Sequence, residues 1–157
     1  MKVRFLLFET YVEAIRKSIG SSLFQTTWGE INGKKKDLTN KGQFSCATHI
    51  SSILMWFAEQ GLLKTRHVKV SGLIKDMEGC GWHKIKKPRV GAVIHWENFY
   101  RNGSANEHLG FYIGNGKTVT NDSDVGTPQI RPLALNGKRK ILGIYWHPEL
   151  KRKHSNG

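Results

Sequence analysis

His108-Leu-Gly-Phe-Tyr-Ile113, Gly114-Asn115-Gly116 and Lys117-Thr-Val-Thr-Asn121 read together as a β-hairpin: two β-prone runs joined by a turn of residues that tolerate positive φ. Upstream, Val90-Gly-Ala-Val-Ile-His-Trp96 reads as a buried strand, and Glu97 to Asn106 as a polar connection into the hairpin. Downstream, Ile130 to Leu135 and Ile141 to Trp146 supply two more strands around an Asn136-Gly137 turn. The first half has a different texture. Phe8, Tyr11, Val12, Ile15 and Ile19 recur at helical spacing within residues 3–19, and Gly20 stops them. Ser45 is placed to cap a second helix, whose apolar face is Ala47, Ile50, Ile53, Leu54, Phe57 and Ala58, with Gly61 ending it. A short hairpin through Trp28 and Ile31, with Asn32-Gly33 as its turn, and a third helix over Val70 to Met77 complete the pattern. Helices first and an antiparallel sheet after them define an α+β fold.

The 157 residues are enough for one domain, expected over 1–157 with an N-terminal helix at about 3–19, a core at about 40–147 and a basic tail over 148–157. Five Trp, four Tyr and seven Phe exclude a disordered chain. No apolar run approaches the ~18 residues of a membrane span, and Glu9 and Glu13 interrupt the Phe5–Phe8 run that could otherwise resemble a signal-peptide core. The compartment expected by default is therefore the cytoplasm. Twenty-five Lys and Arg against twelve Asp and Glu give a net charge of +13. That balance favours polyanionic partners, although the clusters at 34–36, 84–89, 138–140 and 151–153 form no single helical stripe.

Cys46 follows the cap residue of the second helix, where unpaired amides and the helix dipole favour a thiolate and offer N–H groups to an oxyanion. The other cysteine, Cys80, has no such setting, and neither has the neighbouring cysteine that a zinc site needs. Among seven histidines, His108 stands out because the start of a sheet strand presents an imidazole rigidly to a helix packed across it. His49, on the helix of Cys46, and His95, inside a strand, are the competing bases. A third polar group should orient the imidazole, and Asn121 or, one residue along, Asp122 stands across the hairpin from His108. Gly116-Lys117-Thr118 is no phosphate-binding loop, since position 111 is Phe and a hairpin surrounds it.

Phe44-Ser-Cys46-Ala with its helix, Gly91-Ala-Val-Ile-His-Trp96 and His108-Leu-Gly-Phe-Tyr-Ile-Gly-Asn-Gly-Lys117 resemble the NlpC-type papain-like cysteine peptidases and their CHAP amidase relatives. The likeness covers roughly residues 40 to 125. It implies a papain-like fold with the nucleophile helix packed on an antiparallel sheet, Cys46 as nucleophile, His108 as base, and Asn121 or Asp122 in the third place. It also implies no cofactor or metal, and a peptide substrate such as the stem peptide of peptidoglycan. The family's Asp-Cys-Ser reads Ser45-Cys46-Ala47 here, and its third residue, often His, falls near Thr120. The competing function is a basic, non-catalytic module that binds nucleic acid or another polyanion.

Overall fold

Apolar residues recurring every three to four positions put one stripe of the first helix, α1 (Leu7–Lys17), against the core, with Tyr11 and Ile15 fully buried. The Tyr11 hydroxyl donates to the Gly91 carbonyl (2.7 Å), which docks this helix on the chain entering the sheet. The helix starts four residues later than the sequence spacing suggests; Met1 and Val3 are exposed, and Phe5 only stacks one face on Phe57. The computed structural model describes residues 1–101, 104–137 and 139–151, with 99–101, 104–106 and 136 as backbone only. Lys138, Lys153 and His154 lie outside the described residues.

A hairpin of β1 (Trp28–Ile31) and β2 (Lys34–Asp37) pairs Ile31 with Lys34 around Asn32-Gly33, both at positive φ, as a two-residue turn of that type requires. Helix α2 (Cys46–Met55) buries Ala47, Ile50, Ile53 and Leu54, and also Thr48, His49 and Ser51, so it is enclosed on most sides. Each fully buried Ile or Leu contributes about 1.5–3 kcal/mol of transfer free energy, and Leu54→Ala would leave a cavity costing about 2–5 kcal/mol. Ser45 does precede this helix, yet its hydroxyl makes no capping hydrogen bond and is buried without a hydrogen-bond partner among the described residues. Helix α3 (Val70–Gly79) buries Leu73 and Met77.

The remaining strands are β3 (His83–Lys84), β4 (Val93–Arg101), β5 (Ser104–Gly114), β6 (Lys117–Asp122), β7 (Thr127–Pro132) and β8 (Ile141–Trp146). They form one antiparallel sheet in the order β3-β8-β4-β5-β6-β7. One expectation needs correction. Residues 97–106 are not a loose connection: β4 and β5 continue as a ribbon, pairing Phe99 with Asn106 and Arg101 with Ser104 beyond an irregularity between Trp96 and Phe99. Ladder hydrogen bonds satisfy that polar backbone without any apolar alternation to announce it. The last two strands do lie on either side of Asn136-Gly137, but they do not pair with each other. That dipeptide belongs to a 3-10 turn (Leu135–Gly137), while β7 extends one edge beside β6 and β8 inserts between β3 and β4.

Side-chain alternation gives the sheet two faces. Val93, Leu109, Phe111 and Val119 join the main core with α1, α2 and α3. Ile94 and Trp96 face the other way and pack with Leu135. The sheet is thus covered by helices on one side and by the segment around Leu135 on the other. No helix among the described residues is long and apolar enough to cross a membrane.

Candidate active site

The chain enters α2 through a tight loop in which Asn40, Lys41 and Gly42 all have positive φ. A Cβ on Gly42 would drive into the Gly126 carbonyl, so only glycine permits this approach to the turn after β6. Asn121 Nδ2 donates to the Gly42 carbonyl (2.7 Å), tying β6 to the same loop. The result is a fixed position for Cys46, the first residue of the helix. Its half-buried Sγ lies 4.0 Å from the Glu107 carbonyl of β5 and is approached by the Leu109 amide. The thiol therefore touches the strand at the residues on either side of His108. Among the described residues no hydrogen bond joins thiol to imidazole.

His108 shares its sheet face with Trp96, whose ring centroid is 5.6 Å away, and with Thr120. Its Nε2 is 2.5 Å from Thr120 Oγ1, and that same oxygen is 2.7 Å from the Leu109 carbonyl. The carbonyl can only accept, so the single hydroxyl proton goes to it. For the second contact to be a hydrogen bond, Nε2–H must donate to Thr120, and the lone pair is left on Nδ1. Burial, reinforced by Arg139 and opposed by Asp122, depresses the His108 pKa to about 3. The imidazole is neutral and able to accept a proton.

Cys46 departs from the expected resting thiolate. Burial pushes its pKa up, and the amides of Leu109, Ala47 and Cys46 itself, with the Arg139 charge, offset this only in part. A helix start alone does not ionise a thiol from which most water has been removed. At rest Cys46 is a thiol and His108 a neutral imidazole.

The two candidates for the third residue are engaged elsewhere. Asn121 is buried on the opposite face, on Gly42. Asp122 takes Nε and Nη2 of Arg131 at 3.0 and 2.6 Å and the amides of Asp124 and Val125 at 2.9 and 3.0 Å. Although burial raises its pKa, those amides and Arg131 hold the carboxyl below its usual range. Thr120 occupies the position on His108 because Gly110 pairs with Thr120, and His108 lies on the same face as Gly110.

The competing bases have separate settings. Ser18 Oγ donates to the Ile15 carbonyl and so accepts from His49 Nε2–H (2.9 Å); the ring sits edge-on to Phe24 and Phe111, with burial pulling its pKa to about 3. His95 bonds Glu107 (3.2 Å) on the helix-covered face and, with Ser71, Ile74, Lys75 and Glu78, lines an open groove of 340 Å³. Cys80 faces Asp76 (3.5 Å), and burial together with that carboxylate raises its pKa. Among the described residues no group of three or more His, Cys, Asp or Glu could hold a metal.

Two residues escaped the sequence reading as participants. Thr120 marks where the family's third residue falls, but a hydroxyl ranks below an amide or carboxylate as an imidazole partner. Arg139, within a basic cluster read as a solvated turn, is half-buried and close enough to perturb both Cys46 and His108. In comparisons with known proteins, no family model matches the chain and no curated protein matches it.

Proposed function

We propose that the chain is a papain-like cysteine hydrolase of amide bonds, of the NlpC/CHAP kind, acting on peptides such as the stem peptide of peptidoglycan. The observation that carries this reading is the placement of Cys46 Sγ against β5 on either side of His108, whose Nε2 is held by Thr120 so that Nδ1 keeps its lone pair. In the reaction His108 Nδ1 takes the thiol proton as Sγ bonds to the substrate carbonyl carbon. The oxyanion is received by backbone N–H groups at the start of α2. The imidazolium then protonates the amine as the C–N bond breaks, leaving a thioester. Water gives its proton to His108 and its hydroxyl to the acyl carbon, and the thiol is regenerated.

The test is hydrolysis of a muropeptide mixture and of short peptides, followed by mass spectrometry. Cys46→Ala and His108→Ala should each lose roughly two to four orders of magnitude, with folding checked by circular dichroism. His95→Gln should stay within a few-fold of the parent. If His95→Gln is dead and His108→Ala turns over normally, the base is on the other face of the sheet.

A second reading rests on a different observation. His83, Lys84, Lys86, Lys87 and Arg89 are all exposed within seven residues of one edge segment. That arrangement suits a non-catalytic module binding a polyanion through its phosphates. Salt-dependent binding without any hydrolysis would favour it.

A further inference from the structure

The segment ahead of α1 reads Met1-Lys-Val-Arg-Phe-Leu6, in which apolar side chains alternate with Lys2 and Arg4. All six residues are exposed, and none belongs to a helix or strand. The segment nevertheless has a fixed foothold. The ring of Phe5 stacks on Phe57, just beyond α2, with centroids 6.4 Å apart. Trp56 leans on the same Phe57 ring at 5.6 Å. Phe57 itself is buried, at 2% exposure, whereas Phe5 and Trp56 are 53% and 70% exposed. One core ring thus supports two aromatic side chains that stay in water, and Val3 and Leu6 lie within two residues of Phe5 along the chain. Exposed apolar groups gathered in this way mark an interaction surface, unlike singly scattered ones.

The cations decide what covers this patch. Lys2 and Arg4 alternate with the apolar residues, so an occupant must accept both chemistries at one place. A second copy does not, because an isologous contact would bring the two sets of cations together. A nucleic acid has phosphates for the cations but offers Met1, Val3 and Leu6 no apolar phase to enter. The headgroup region of a bilayer with anionic phospholipid supplies both, and Trp side chains settle there. A net charge of +13 draws the chain toward such a surface. Glu9 and Glu59, both exposed, bound the patch along the chain.

We propose that the patch of Phe5 and Trp56 docks the protein on membranes containing anionic phospholipid. Phe5, Trp56 and the aliphatic side chains enter the interface while Lys2 and Arg4 meet headgroup phosphates. The docking is peripheral and independent of the thiol chemistry.

The test uses the full chain and vesicles of phosphatidylcholine, alone or mixed in equal parts with phosphatidylglycerol. Sedimentation should carry the protein down with the mixed vesicles and leave it in solution with the neutral ones. Lys2→Gln and Arg4→Gln should each lower the partition coefficient about fivefold. Val3→Ser combined with Trp56→Ala should lower it by about tenfold. Urea unfolding should be unchanged in that variant, because both side chains are exposed. Bromine-labelled acyl chains should quench tryptophan fluorescence in the parent and much less in Trp56→Phe, which separates insertion from charge attraction alone. A chain that stays in solution with the mixed vesicles overturns the proposal, as does equal quenching in parent and Trp56→Phe. Binding that survives Val3→Ser with Trp56→Ala but is lost when Lys86 and Lys87 become Gln also overturns it, since the basic edge is then the contact. A dimer in sedimentation equilibrium that Trp56→Ala dissociates does the same: the patch is then covered by a second copy.

Discussion

Thr120 holds His108 from the neighbouring strand: its Oγ1 stands 2.5 Å from Nε2 and passes its own proton to the Leu109 carbonyl 2.7 Å away. The ring is thereby oriented and its tautomer set by a neutral hydroxyl. A neutral partner has a chemical consequence. It gives an imidazolium no countercharge, so protonation of His108 is disfavoured.

Thr120→Val should accordingly lower kcat/KM roughly threefold to tenfold, the worth of one neutral hydrogen bond, whereas Thr120→Ser should stay near the parent. The valine is close in shape, so thermal unfolding should change little. Equal activity in the valine and parent proteins would remove Thr120 from the site.

Asn121→Ala should show its main effect in stability. The side chain is 2% exposed and donates to Gly42 in the loop that leads into Cys46. Losing that buried donor costs about 1–3 kcal/mol. Urea unfolding measures it directly, and a variant as stable as the parent but inactive would return Asn121 to the role of third residue.

Which parts of this arrangement could be read in advance follows from how local each signal is. The β5–β6 hairpin and α2 were legible because Gly114-Asn115-Gly116 and the Ala47-Ile50-Ile53-Leu54 stripe specify their own geometry within a few residues. The insertion of β8 between β3 and β4 was not, since an Asn136-Gly137 pair carries no information about which distant strand edge is empty. Thr120 was displaced by Asn121 because a register shift between Tyr112 and Gly114 decides which side chain shares a face with His108. Arg139 was hidden in a basic cluster, and its burial depends on the packing of Leu135 beneath Trp96.

Acid should unfold the protein through two histidines held neutral, His49 fully buried and His108 half-buried. His49 and His108 fall from an ordinary 6.5 to about 3 in the folded chain, His49 chiefly through burial and His108 through burial and Arg139. Between those values the unfolded chain binds more protons than the folded one, so stability declines as pH drops from about 6.5 toward 3. His49→Phe, which keeps an aromatic ring between Phe24 and Phe111, should flatten the decline. A urea midpoint independent of pH across that window would contradict the burial of these rings.

The thiol should behave as a raised-pKa group. Burial pushes up both Cys46 and Cys80, and the neighbouring Asp76 raises Cys80 further. Iodoacetamide alkylation of both should climb through pH 7 to 9 without a plateau on the acid side, with Cys46 the faster, because amides and Arg139 favour its thiolate. A rate at Cys46 that is already level at pH 6 would mean a resting thiolate and return the helix start to dominance.

Polyanion binding should be a property of the basic edge and separable from the thiol. Lys86 and Lys87 are exposed beside Arg89, whose guanidinium lies 4.1 Å over the Trp146 ring, and Lys84, which lies 5.9 Å from the Tyr145 ring. Trp146 and Tyr145 are buried, at 5% and 4% exposure, so bases cannot stack on them and contact would run through phosphates. Arg89 also packs on Trp146, which makes the two lysines the cleaner probes. Binding of a fluorescent DNA duplex, followed by anisotropy over a salt series, should give a linear log–log dependence. Replacing Lys86 and Lys87 by Gln should flatten the slope by about 0.9 for each phosphate that is no longer neutralised, and Cys46→Ala should leave affinity unchanged. A slope insensitive to the lysines would move the binding surface elsewhere. Loss of binding in Cys46→Ala at unchanged stability would make the basic edge and the thiol parts of a single site.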